Sequence, residues 1–118
     1  MIPGLGGPAL EIQSLAEWQE WFATYSASST EIWAVILKKS TRRQTVTYEE
    51  LLREALCWGW VDVKTKRVDD ERYGIRFVPR RTISHWTIAN RMIACELIGA
   101  GRMQPAGRSK LPADLDCP

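Results

Sequence analysis

Between residues 14 and 25, Leu15, Trp18, Trp21, Phe22 and Tyr25 recur at three- and four-residue spacing, the period of one helical face. Ser14 and Glu17 supply an S-x-x-E capping box at the head of that helix. After a polar break at 26–30, Ile32 to Leu37 is an unbroken β-prone run ending in Lys38-Lys39, the pattern of a central strand emerging into solvent. A second capping box, Thr47 and Glu50, opens a helix carrying Leu51, Leu52, Ala55 and Leu56 that stops at Gly59. Trp60 to Val63 and Tyr73 to Val78 read as two further strands, with a polar segment between them too long for a tight turn. A last helix is expected to start near Ser84 and to run through Trp86, Ala89, Ile93 and Leu97 to a stop at 99–101. Residues 1–11 read as a flexible lead-in, and the tail beyond Gly107 as unstructured.

The order helix, strand, helix, strand, strand, helix holds no chain of βαβ units around a nucleotide crevice. It predicts an α+β fold, a small and mostly antiparallel sheet with helices packed on one face. The 118 residues fit a single domain, 1–118, with an ordered core over about 12–107.

Composition sharpens this in three places. A hydrophobic share of 45% with 25% charged residues is ordinary globular usage, so a packed core is expected. Six tryptophans make indoles the dominant material of the core or of a pocket. The net charge of +2 is small for a dedicated nucleic-acid binder, yet the cations are clustered: Lys38, Lys39, Arg42 and Arg43 in one loop, Lys64, Lys66 and Arg67 in another, then Arg76, Arg80 and Arg81. Three cysteines, Cys57, Cys95 and Cys117, show no paired spacing; they argue against a disulfide scaffold or a zinc site and fit a reducing cytoplasm. The N-terminus lacks an export signal, and no run approaches the roughly 20 apolar residues of a membrane span.

Four spaced motifs carry a resemblance. They are Ala55-Leu56-Cys57-Trp58-Gly59-Trp60-Val61-Asp62, Arg76-Phe77-Val78-Pro79-Arg80-Arg81, Ser84-His85-Trp86 with Asn90, and Gly101-Arg102-Met103-Gln104-Pro105-Ala106-Gly107. Together they resemble the YdeI/OmpD-associated, or bacteriocin-protection, family over residues 14–107, the N-terminal part of relatives that continue into a helical segment. Val63 stands where that family usually has glycine. The resemblance implies a frataxin-like or YjbR-like fold and a cytoplasmic bacterial protein linked to envelope stress and to resistance to bacteriocins or cationic peptides. It implies no enzymatic activity and no cofactor.

Candidate chemistry is sparse. Trp58-Gly59-Trp60-x-Asp62 joins a helix end to a strand and places two indoles and a carboxylate about a glycine, a way to wall a small pocket; a helix cap followed by a core strand explains the same residues. Arg80 and Arg81, with Ser84, Trp86 and Asn90, precede or open the last helix, where N–H groups favour an anion; the alternative is a structural bridge from one arginine to Asp62 or another acid. His85 is the only histidine and has no identifiable partner, and Cys57 reads as a small buried hydrophobe. No P-loop, dinucleotide fingerprint, H-E-x-x-H, nucleophile elbow or metal-spaced Cys/His set is present, so no catalytic and no metal residue is singled out. The expectation is a non-enzymatic domain that binds a small anionic ligand or a protein partner. The second reading is a nucleic-acid binder using Lys38, Lys39, Arg42, Arg43, Lys64, Lys66 and Arg67; an enzyme built on Asp62 or Cys57 has no motif behind it.

Overall fold

The computed structural model describes residues 4–81 and 85–118. Ser14 caps the first helix, α1 (Leu15–Tyr25), its hydroxyl accepting the Glu17 N–H at 3.2 Å, and Trp18 and Phe22 form its buried stripe. The central strand, β2 (Ile32–Leu37), is buried along nearly its whole length. The second helix, α2 (Tyr48–Cys57), begins in a complete capping box, with Thr47 and Glu50 each satisfying the other's backbone N–H. Two strands follow, β3 (Trp60–Arg67) and β4 (Arg72–Pro79), then the helices α3 (Ile88–Gly99) and α4 (Pro105–Arg108).

The strands form one sheet, completed by β1 (Ala9–Glu11), in the order β1-β2-β4-β3. The β2–β4 and β3–β4 pairs are antiparallel and only β1–β2 is parallel, so the mostly antiparallel α+β architecture is what the chain adopts. Helices α1 and α2 cover one sheet face: Trp18, Phe22, Leu51 and Ala55 pack with Ile32, Ala34, Ile36, Ile75 and Phe77 as the main core. The Trp18 indole donates to the Leu51 carbonyl at 3.0 Å, which lets a polar atom sit there without an orphaned hydrogen bond. A second, smaller core lies beyond α2, where Leu56 and Cys57 meet Trp86, Ala94, Leu97 and Met103.

Four local expectations are corrected. The lead-in is not loose from residue 4 onward: Leu5 is buried with Trp33 and Val35 on the sheet face that the helices leave open, and β1 pairs along β2. The strands β3 and β4 run on to Arg67 and from Arg72, so a four-residue turn closes a hairpin. There the Asp69 carboxylate accepts the N–H groups of Glu71 and Arg72 at 2.9 and 2.8 Å, and those backbone bonds, with the Arg72 guanidinium, lower its pKa. Helix α3 starts later than expected, capped by Thr87, whose hydroxyl accepts the Asn90 N–H; Ser84 lies outside the described residues. The tail is ordered: Leu111 and Leu115 pack on the second core, and Cys117 is disulfide-bonded to Cys95 with their Cα atoms 5.4 Å apart. Three free thiols are therefore not what the fold holds; Cys57 alone is free and buried. No helix among the described residues is long and apolar enough to cross a membrane.

Gly107 fixes how α4 meets α2. A Cβ there would stand 2.1 Å from the Cys57 carbonyl oxygen, a backbone atom with nowhere to go. Gly99 closes α3 with nothing within 4 Å of an added Cβ. Gly107→Ala is expected to cost about 3 kcal/mol, near 10 °C in Tm. Gly99→Ala should instead gain about 0.5 kcal/mol through the unfolded chain's lost entropy. Thermal melts of the two variants, one lowered and one slightly raised, check the placement of both glycines.

Candidate functional site

The candidate residues do not assemble into one pocket; they divide between a surface groove and a buried cluster. At the end of α2, Gly59 has φ +79°, and a Cβ on it would press within 2.8 Å of the Ala106 carbonyl oxygen. This glycine reverses the chain from helix to strand, setting Trp58 on one side and Trp60 on the other. The Trp60 ring packs edge-on to Trp21 and Phe22 at 5.5 Å, so most of it belongs to the core. Trp58 stacks on Phe22 at 6.0 Å and stays half-buried at the surface.

What holds Trp58 was not foreseen. Glu54, one helical turn earlier, is only 5% exposed, and its carboxylate accepts from the Trp58 indole at 2.9 Å, from Gln19 at 3.1 Å and from Arg102 at 2.7 Å. Those donors come from the C-terminal cap of α2, from α1 and from the α3–α4 connection, so one buried carboxylate ties three segments together. The signal was present in the sequence: Glu54 sits three residues after Leu51, on the apolar stripe of α2, and four before Trp58.

Two depressions flank Trp58. One, of about 380 Å³, runs over Gly59, Trp60 and Pro79 towards Pro105, Ala106 and Lys110; the other, of about 530 Å³, runs over Gln19, Glu54 and Arg102. Ala23, Trp58 and Gln104 line both, so the two join into a single groove between α1 and the α3–α4 connection, open to solvent along its length.

Arg80, Trp86 and Asp62 lie elsewhere. Arg80 is only 4% exposed; its guanidinium lies over the Trp86 ring at 4.0 Å and donates to the His85 carbonyl at 3.2 Å, while its backbone N–H donates to the Gly59 carbonyl at 2.7 Å. Burial pushes its pKa down, and the nearby Asp62 charge opposes that shift. Asp62 also accepts a hydrogen bond from the Tyr48 phenol. Arg81 is exposed, and Asn90 sits in the first turn of α3. The Arg80 guanidinium is packed against Trp86 and His85 and is itself closed to solvent, whereas Arg81 is not.

The two basic runs do converge. Leu37 pairs with Arg72 and Arg67 with Tyr73, so the Lys38–Arg43 loop and the β3–β4 turn share one end of the sheet. Their charge is partly cancelled there: Arg43 pairs with Glu71, Arg67 with Asp70, and Arg72 with Glu11 and Asp69. Lys38, Lys39, Arg42, Lys64 and Lys66 have no ion-pair partner among the described residues, Lys66 donating instead to the Gly4 carbonyl. Val63, where the resemblance expected glycine, stands at a break in the β3–β4 register and is half exposed, a bulge that a β-branched residue occupies.

The described residues hold no cluster of three or more His, Cys, Asp or Glu able to bind a metal. Burial, reinforced by the Glu54 charge, raises the Cys57 thiol to about 11, the opposite of an activated nucleophile. A family model described as Domain of unknown function (DUF8412) matches residues 10–110. No curated protein and no solved structure matches the chain.

Two outcomes test this geometry. Glu54→Ala strands three donors, one of them a guanidinium that is part exposed and regains water, so it should cost about 2–3 kcal/mol in urea unfolding. The Trp58 emission should shift to the red in the same variant. On the alkaline side, Tyr48, Tyr73 and Cys57 all have raised pKa values, the phenols first through burial, with Asp62 adding to Tyr48. The protonated forms are favoured by the fold, so the stability they lend is complete below their unfolded values. It falls as pH climbs from 9.0 towards 11 and beyond. Tm measured from pH 8 upward should be flat to about 9 and then decline, less steeply in Cys57→Ala.

Proposed function

We propose that this chain, which belongs to the DUF8412 family, is a binding domain that takes an extended segment of a protein partner in the groove on either side of Trp58. The observation that carries this is the pinned indole. Trp58 is fixed by Glu54 and by Phe22, yet it remains part exposed between two joined depressions. A rigid aromatic that loses little entropy on contact is the residue type that dominates binding energy at interfaces. Two joined depressions that run from Gln19 past Trp58 to Lys110 form an elongated surface, which suits a chain lying along it. The small-anion alternative loses its main support with the burial of Arg80.

The wider setting rests on the resemblance to the YdeI/OmpD-associated family alone. On that resemblance the partner belongs to an envelope-stress or bacteriocin-resistance response and the domain works in the cytoplasm. The thiol count no longer supports that location, because Cys95 and Cys117 are bonded.

A nucleic-acid reading keeps one observation in its favour, the convergence of both basic runs at one end of the sheet. The five cations of these runs without ion pairs correspond to a salt slope of about −4.5 on duplex DNA, a loss of roughly 500-fold between 50 and 200 mM salt.

Peptides selected from a random display library against the wild-type domain should lose at least about 30-fold in affinity on Trp58→Ala. They should lose as much on Ala106→Arg, which fills the groove from an exposed position and leaves the Glu54 network alone. Peptides indifferent to both changes sink the groove reading. A duplex that binds with the steep salt response and is lost on Lys38→Glu with Lys39→Glu would put the basic end of the sheet in its place.

A further inference from the structure

The groove leaves unexplained the other side of the second core, where α3 turns apolar side chains outward. Ala94 and Leu97 are buried against α2, while Ile88 and Met92, one turn apart on the outer side, are 79% and 62% exposed. A helix apolar on opposite sides is ordinarily covered on both. Here the outer side forms one wall of a cleft of about 620 Å³, and the C-terminal tail forms the other. The tail is brought back along α3 by the packing of Leu115 and by the Cys95–Cys117 disulfide, which crosses from wall to wall. The volume lies within the range of roughly 300–1,000 Å³ that small-molecule sites occupy.

The sign of the charge around this cleft is the reverse of the chain's own +2. Glu96, Asp114 and Asp116 line it against the single cation Arg91. Arg91 donates to Asp114 at 3.3 Å, and Glu96 is held from outside by Arg53 at 2.7 Å. Asp116 has no ion-pair partner among the described residues, which leaves one carboxylate at the rim of an apolar floor. We propose that the cleft between α3 and the tail is a binding site for a small apolar molecule carrying one positive charge. Its alkyl part lies on Ile88 and Met92, and its cation faces Asp116.

The alkyl series n-octylammonium, n-octanol and n-octanoate separates the apolar from the charged part of this proposal. Calorimetric titration of the disulfide-bonded chain at low salt should show one saturable site. Octylammonium should bind about fivefold more tightly than octanoate, with octanol between them, a modest gap because the carboxylate is exposed. Asp116→Asn should narrow the gap to less than about twofold. Ile88→Gln with Met92→Gln replaces exposed residues by a good helix former and should lower the affinity at least tenfold, with the circular dichroism unchanged. Cys95→Ser with Cys117→Ser releases one wall and should weaken binding several-fold while leaving the main core intact. Octanoate binding as tightly as the amine overturns the proposal, as does a double glutamine variant of undiminished affinity. A second copy is the rival occupant of this face: concentration-dependent dimers in sedimentation, lost in the double glutamine variant and with no amine binding, would also overturn it.

Discussion

The end of α2 is the joint on which the rest of the molecule turns. The last carbonyls of a helix have no partner within it; here those of Ala55 and Leu56 accept the Trp58 and Gly59 N–H groups, and that of Cys57 is met by another segment. The Cys57 carbonyl accepts the Gln104 N–H at 2.9 Å, with Gly107 pressed against it; the Gly59 carbonyl accepts the Arg80 N–H at 2.7 Å. Gly107 is needed for the approach to the Cys57 carbonyl, and Gly59 for its positive φ and for the close approach of the Ala106 carbonyl. From this joint β3 departs into the sheet, α4 closes the second core, and Trp58 is left at the surface. The two hydrophobic cores share α2 as their common wall, with Ala55 on one side and Leu56 and Cys57 on the other.

Glu54 and Arg80 are the two buried charged residues of the described chain, and they do different work. Glu54 is reached by three donors from three segments, one of them part exposed, so it fixes relative position at the edge of solvent. Arg80 lies deep against Trp86, where the ring face offsets some of the lost hydration. Its pKa is lowered by that burial, and the Asp62 charge works the other way. Asp62 and Tyr48 then extend the polar seam from the loop before α3 to the first turn of α2. The seam is partly buried, and Arg80 and Asp62, which look like members of an anion site in one dimension, make contacts within the fold in three.

The elements legible in the sequence were those with strong periodicity or a capping pair: α1, β2 and α2 begin where Ser14, Ile32 and Thr47 announce them. The β3–β4 hairpin was underestimated because Lys64, Thr65, Lys66 and Arg67 lie on an edge strand whose outer half is covered on neither face, so no alternation marks it. Three residues of β1 carry too little pattern to be seen. Trp58 could be found from its motif, whereas Glu54 required a charged residue on an apolar stripe to be taken seriously, and Arg102 required the fold. The Cys95–Cys117 pair has no local signature at all. It exists because the tail returns along α3.

That disulfide also answers a question of size. The main core is built on a sheet and two helices, but the second has only Leu56, Cys57, Trp86, Ala94, Leu97 and Met103 fully inside it. A cluster so small gains little from burial once the ordering of α3, α4 and the tail is charged against it. A cross-link spanning 22 residues removes about 3 kcal/mol of chain freedom from the unfolded state in the loop-entropy account, as much as burying one or two large side chains. The staple lets α3 keep Ile88 and Met92 facing outward, because the segment no longer depends on packing alone to stay in place. An apolar surface left exposed in a well-held segment is available for contact with something else, and the stability to leave it so comes from the bond beneath it.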